Sequence, residues 1–262
     1  MTKFIIQTPT EEIIVARVMF PPQKPTGLVF ILHGLAGYKE EEYLAKTGEI
    51  FLNKGFCVCF YDARFSFGES HGELENACFS NFIEDFKTVL NWAKTQSFYQ
   101  EPFFAVGHSL GAGAVLNQAI HHPALFKGII CLCPVYNGNM LLDSYQTAKP
   151  EFVNEWKEKK FLYRKKEGNP SINGNISFDH IIDAKKYKLE EQADQITSPV
   201  LIVCGDRDIS STININTTLY DKLNEPKELA IIKNGTHTFR SDENKTILIE
   251  TIKNWLNKNF NI

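Results

Sequence analysis

The sequence predicts an α/β protein: a mostly parallel, twisted sheet with helices on both faces. Two observations carry this. Short apolar runs alternate with helical patterns through most of the chain, and the runs are near-continuous, as strands covered on both faces must be. A length of 262 residues suffices for one such domain with a full core and a modest insertion.

Residues 3–8 and 11–20 read as an N-terminal hairpin, and 27–33 (GLVFILH) as the first continuous apolar strand. Segment 41–54 reads as a helix ending at Gly55, and 56–62 (FCVCFYD) as the next strand. Segment 81–95 is an amphipathic helix, with Phe82, Ile83, Phe86, Leu90 and Ala93 at three- and four-residue steps. Asn81 and Glu84 resemble its cap. Strands at 103–108, 128–134, 199–205 and 228–234 follow, interleaved with helices at 110–121, 213–224 and 243–259. There is no internal repeat or low-complexity tract.

One stretch breaks the alternation. Residues 136–195 lie between two predicted strands and are too long for a simple crossover. They are aromatic and charged, with Tyr136, Tyr145, Phe152, Trp156, Phe161, Tyr163 and Phe178 and a basic run at 157–167 that reads as a solvated face. Asn173-Gly174 between Ile172 and Ile176 predicts a hairpin turn. The stretch is expected to be a cap over a core formed by 1–135 and 196–262.

A formal net charge of −3 provides no basic field for nucleic acid or an anionic membrane. The first dozen residues lack a signal peptide's apolar stretch, and no run is long enough to span a bilayer, so the cytoplasm is the expected compartment. Cys57, Cys59, Cys131, Cys133 and Cys204 fall in strand-like runs and read as small buried hydrophobes; their C-x-C spacing is not that of a zinc or redox site. Cys78 lies outside such runs.

The chemistry gathers at the ends of strands. Gly107-His108-Ser109-Leu110-Gly111 follows a predicted strand and opens a predicted helix. A serine on so tight a turn presents its hydroxyl off the sheet edge at a helix N-terminus, where partial positive charge favours an anion. Such a hydroxyl needs a base. His237 follows the last predicted strand, and Asp206 and Asp208 follow the one before it. His108 is expected to point into the fold, and His33 to brace a loop. His71 and His180 carry no recognisable pattern. No histidine, cysteine or acidic cluster has metal-ligand spacing, and no glycine-rich phosphate loop is visible, so no cofactor is implied.

These pieces, with His33-Gly34-Leu35-Ala36-Gly37 and the run from Asp62 to Ser70, resemble the α/β-hydrolase superfamily over essentially the whole chain. Within it the pattern is similar to the serine-aminopeptidase-like and monoglyceride-lipase-like esterases, nearest to cinnamoyl-esterase-type carboxylesterases. The resemblance implies a Ser109, Asp208, His237 triad in the family's Ser, Asp, His order, with Asp206 as the rival acid. It implies oxyanion donors in the backbone N–H groups of Leu35 and Leu110. The family's D-x-R-G-x-G-x-S has Phe65 here where a glycine is common, and Arg64 and Ser70 are expected to be structural. The implied activity is hydrolysis of a small carboxylic ester through an acyl-enzyme, with a small-molecule partner; a homodimer is left open. An aminopeptidase or thioesterase would share the triad, with Glu151, Glu155 and Glu158 as candidates to grip an amine. A catalytically silent binding protein is the alternative of another class.

Overall fold

The computed structural model describes residues 2–166 and 169–262. Its strands in chain order are β1 (Thr2–Gln7), β2 (Ile13–Met19), β3 (Gly27–Leu32), β4 (Phe56–Tyr61), β5 (Phe103–His108), β6 (Phe126–Leu132), β7 (Phe161–Lys166), β8 (Asn169–Ser177), β9 (Val200–Gly205) and β10 (Lys227–Ile232). Eight of them form one sheet in the order β1-β2-β4-β3-β5-β6-β9-β10, while β7 and β8 pair with each other. The β1–β2 and β2–β4 pairs are antiparallel; the remainder of the large sheet is parallel. The helices are α1 (Glu42–Asn53), α2 (Phe79–Ala93), α3 (Leu110–His121), α4 (Gly138–Ala148), α5 (Pro150–Lys159), α6 (Asp179–Ala184), α7 (Ile213–Lys222) and α8 (Asp242–Phe260).

The continuous apolar runs are explained by two covered faces. Along β3, Leu28, Phe30 and Leu32 join the apolar cluster beneath α2, α3 and α7, while Val29 and Ile31 join the cluster beneath α1 and α8. In β4 the same alternation sends Cys57 and Cys59 to the first cluster and Val58 and Phe60 to the second. The strand cysteines are free and buried, and burial pushes the thiols of Cys57 and Cys204 up to about 12. Helix α2 starts two residues before its expected first residue. Cys78 is its N-cap, and Asn81 sits in the first turn, where its side chain accepts from the Cys78 N–H at 2.9 Å and Sγ at 2.8 Å. Among the described residues no helix is long and apolar enough to cross a membrane.

Between β6 and β9 the chain forms α4, α5, the β7–β8 hairpin and α6. Its two ends meet, because Asn137 and Lys188 form an antiparallel bridge and the Leu189 N–H donates to the Tyr136 carbonyl at 3.1 Å. Val153, Trp156 and Ile176 belong to the same apolar cluster as α2 and α3. The expected turn at Asn173-Gly174 is wrong. Both residues lie inside β8, opposite Lys165 and Arg164. Gly174 instead lets the strand run close to Leu74, whose Cβ would stand 3.1 Å from a Cβ added there.

Two loops at the C-terminal edge of the sheet are fixed by buried charge. The Lys39 ammonium, 2% exposed as a residue, donates to Asp62 at 2.6 Å and Glu69 at 2.6 Å, and the Lys39 N–H donates to Asp62 at 2.7 Å. Burial would lower the Lys39 pKa, but Asp62 and Glu69 outweigh it and raise it. Arg64 donates to Asp85 from its backbone N–H at 2.7 Å and its Nε at 2.6 Å, and also pairs with Glu12. Ser70 accepts from the Val15 N–H at 2.8 Å and donates to the Asp62 carbonyl at 2.6 Å. Phe65 keeps the loop's course by adopting φ 59°, with the Arg64 guanidinium 5.5 Å from its ring centre.

Buried neutral histidines are part of this frame. His33 accepts from the Ala63 N–H at Nε2 (2.9 Å) and donates from Nδ1 to the Gly34 carbonyl (2.7 Å). Burial lowers its pKa, with Asp62 opposing. In α6, burial lowers His180 to about 4.

Two expectations follow. Gly113 lies in α3, where an added Cβ would stand 2.3 Å from the Val135 carbonyl oxygen and 2.3 Å from Phe79 Cζ. At an exposed helix site Gly→Ala gains about 1 kcal/mol; Gly113→Ala is expected to lower the thermal midpoint instead, measured by calorimetry. The second concerns acid. A folded pKa of about 4 against 6.5 for ordinary histidine means that His180 contributes stability fully present above pH 6.5 and lost as pH falls towards 4. His180→Gln should flatten the pH dependence of the urea midpoint in that window, by at most about 1.4 kcal/mol per pH unit. An unchanged slope would contradict it.

Candidate active site

Strand order creates the setting. From β3 the chain goes first to β4 on one side and then to β5 on the other, and open α/β sheets bind ligands outside the carboxyl ends of strands at such a reversal. Leu35 follows β3 and Ser109 follows β5, so both stand there.

Ser109 has φ 54° and ψ −118°, a strained backbone for a residue with a Cβ. The strain is held from both sides. Its N–H donates to the Leu132 carbonyl at 2.9 Å, and its carbonyl accepts from the Val135 N–H at 3.1 Å. A Cβ at Gly107 would stand 2.5 Å from Ala112 Cα, and one at Gly111 would stand 2.4 Å from the His33 carbonyl oxygen, so the strand–turn–helix closes only with glycine at both positions. The Ser109 hydroxyl makes no hydrogen bond among the described residues, and neither do the N–H groups of Leu35 and Leu110. All three residues line one cavity of about 170 Å³.

The structure brings Asp208 and His237 together: Nδ1 of His237 donates to Asp208 Oδ2 at 2.6 Å. Asp208 Oδ1 accepts from the Ser210 N–H at 2.8 Å and the Ser211 N–H at 3.1 Å. Burial would raise its carboxyl, but the His237 imidazole and these N–H groups outweigh that and leave it at about 2. With Nδ1 donating, Nε2 of His237 is the acceptor, and His237 lines the cavity with Ser109. Asp206 does not reach the imidazole; its carboxylate lies 4.0 Å from the exposed Arg207 guanidinium.

Sequence reasoning missed part of the site. His108 does point into the fold, yet it also braces the imidazole: its Nε2 donates to the His237 carbonyl at 2.8 Å and the two rings are 4.8 Å apart. Burial lowers it to about 3, which keeps the ring neutral beside His237. On the other wall, Tyr145, Phe152, Trp156, Arg164 and His180 come from the insertion. Arg164 was hidden in the basic run, and His180 in a segment without pattern. Period-two spacing from Leu162, which also lines the cavity, was the available signal for Arg164.

His108, Cys133 and His237 bring ligand atoms within 4.8 Å of one another. His108 Nε2 and His237 Nδ1 are engaged in the bonds just described, and burial raises the Cys133 thiol well above its ordinary value.

The "Serine aminopeptidase, S33" family model matches residues 23–244. The chain is 26% identical over 222 residues to an uncharacterised 31.7 kDa protein in the traX-finO intergenic region of Escherichia coli, covering 74% of this chain and 77% of that one. It is 22% identical to the monoacylglycerol lipase of Mycolicibacterium smegmatis over 269 residues, covering 93% and 92%. Its fold is similar to that of Est1E from Butyrivibrio proteoclasticus with ferulic acid bound (TM-score 0.79, 21% identity, 99% and 100% covered). It is also similar to mouse alpha/beta hydrolase domain-containing protein 10 (TM-score 0.77, 18% identity, 98% and 99% covered). With 222 of its residues matched by that model and an α/β-hydrolase sheet order around Ser109, the chain belongs to the serine aminopeptidase S33 family of α/β-hydrolases.

Proposed function

We propose that this protein is a carboxylesterase acting on small esters through an acyl-enzyme. The observation that carries the reading is the convergence on one cavity of Ser109 and of an imidazole whose far nitrogen is bonded to a buried, ionised Asp208 at 2.6 Å. Ser109 Oγ attacks the ester carbonyl while His237 Nε2 takes its proton. Asp208 fixes the tautomer and stabilises the imidazolium. The N–H groups of Leu35 and Leu110 hold the oxyanion, each worth about 10²–10³ in turnover. His237 then protonates the leaving alcohol. Water, deprotonated by the same imidazole, releases the acid and restores Ser109.

The aminopeptidase reading has less support. An exopeptidase needs a carboxylate to hold the substrate's ammonium, and none of the described residues that line the cavity is acidic. Glu151, Glu155 and Glu158 are exposed on α5, with Glu155 paired to Lys159 at 2.5 Å. A thioester would meet the same machinery as an ester.

The test is hydrolysis of 4-nitrophenyl esters from acetate to long chains. Short chains should be preferred, since the cavity of about 170 Å³ is small beside the roughly 300–1,000 Å³ of sites for drug-sized ligands. Ser109→Ala should lose roughly 10⁶-fold in kcat and escape labelling by a fluorophosphonate. Asp208→Asn should lose about 10⁴-fold, whereas Asp206→Asn should have no comparable effect. Retained turnover in Ser109→Ala would overturn the assignment.

A further inference from the structure

We propose that the cavity selects esters carrying a second, anionic group, a free carboxylate a few carbons from the scissile bond, and that Arg164 binds it. The inference rests on the esterase reading and names the substrate class of that same site.

The cavity is electrically one-sided. Apart from His237, its titratable lining side chains among the described residues are Arg164, His180 and Tyr145, and none is a carboxylate. Arg164 forms no ion pair and no side-chain hydrogen bond with any described residue. Its basic neighbours differ. Lys166 donates to the Phe67 carbonyl at 3.0 Å and lies 4.0 Å from the centre of the Tyr38 ring. Lys157 sits over Phe178 at 5.8 Å, and Lys165 over Tyr163 at 6.0 Å. Lys159 has Glu155. These lysines are engaged by carbonyl, ring or carboxylate partners, whereas Arg164 lines a cavity with no acid among its described lining residues.

The surroundings strengthen that charge. Arg164 is exposed as a residue at the cavity rim, yet desolvation pulls its pKa below the usual arginine value, with the Tyr145 phenol partly opposing. A cation that has lost part of its water attracts an anion more strongly than one in bulk solvent, and Phe152 and Trp156 line the same cavity. The planar fork of a guanidinium also matches both oxygens of a carboxylate.

His180 supplies an independent observation. It is 3% exposed, lines the same cavity and makes no hydrogen bond within the described residues; its Nδ1 is sealed without a partner. The ring's other nitrogen, Nε2, is not sealed in this way and also has no hydrogen-bond partner among the described residues, so it is the atom left to meet a ligand. A neutral imidazole can donate to a carboxylate without contributing charge. A hemiester of a short dicarboxylic acid carries both groups, an ester carbonyl for Ser109 and a free carboxylate for Arg164.

The experiment compares 4-nitrophenyl hydrogen glutarate with 4-nitrophenyl pentanoate, an uncharged counterpart of similar length. The hemiester should be favoured in kcat/KM by about tenfold or more, chiefly through KM, the equivalent of one good charge-assisted contact. Arg164→Gln should reduce the ratio between the two substrates by a similar factor, and Arg164→Lys should restore part of it. Raising the salt should compress the wild-type ratio. Equal treatment of the two esters by the wild-type protein, or an unchanged ratio in Arg164→Gln, would overturn the proposal while leaving the esterase reading intact. If neither ester is turned over, the esterase reading fails, and calorimetry of the Ser109→Ala protein with monomethyl glutarate decides the anion site. Binding lost in the Ser109→Ala, Arg164→Gln double variant supports it; absence of binding overturns it.

Discussion

The turn at Ser109 is the constraint on which the rest of the site depends. A residue with a side chain held at φ 54° carries strain of order 1–3 kcal/mol, and it persists only because its surroundings over-determine it. Hydrogen bonds to Leu132 and from Val135 tie it to β6 and the segment beyond, and the backbones of α3 and the loop after β3 press against Gly107 and Gly111. Helix α3 is buried from Leu110 to Ile120, so it cannot swing to relieve the turn. A rigid helix in the core thus fixes the direction of one hydroxyl at the surface of a cavity.

The loops on either side are held by charge where the turn is held by packing. Lys39 with Asp62 and Glu69 anchors the loop carrying Leu35, and Arg64 with Asp85 anchors the next loop to α2. Ion pairs so deeply buried add little net stability, because desolvation offsets their attraction; removing one partner is what is severe, at about 3–5 kcal/mol. Their contribution is positional. They allow Phe65 to sit in a left-handed conformation without the loop moving, and they keep the Leu35 N–H at the strand reversal.

Most of the sheet was legible in the sequence, since strands buried on both faces must be continuously apolar and α2 must repeat at three and four residues. The strand–serine–helix turn and the acid and histidine after later strands were legible because each sits at an element boundary marked by glycine. The internal structure of the insertion was not. Its hairpin is polar and exposed along most of its length, so a favourable turn dipeptide at Asn173-Gly174 outweighed a weak strand pattern, and both residues lie within β8, where Gly174 passes close to Leu74. Arg164 and His180 were illegible for a related reason. What sets them apart is the lack of a side-chain hydrogen-bond or ion-pair partner among the described residues, and a sequence records identities along the chain and not contacts across it. His108 was read correctly as buried, but its bond to the His237 carbonyl joins residues far apart in sequence.

The bridge between Asn137 and Lys188 has a bearing on how this architecture changes over evolutionary time. Because the insertion leaves and rejoins the core at adjacent points, its length and content can vary without altering the order or spacing of β6 and β9. One side of the cavity is therefore built by the segment between β6 and β9, and the other by residues at the ends of β3, β5 and β10. An exchange of residues between these two points would replace one wall of the cavity while leaving Ser109, Asp208 and His237 where they stand.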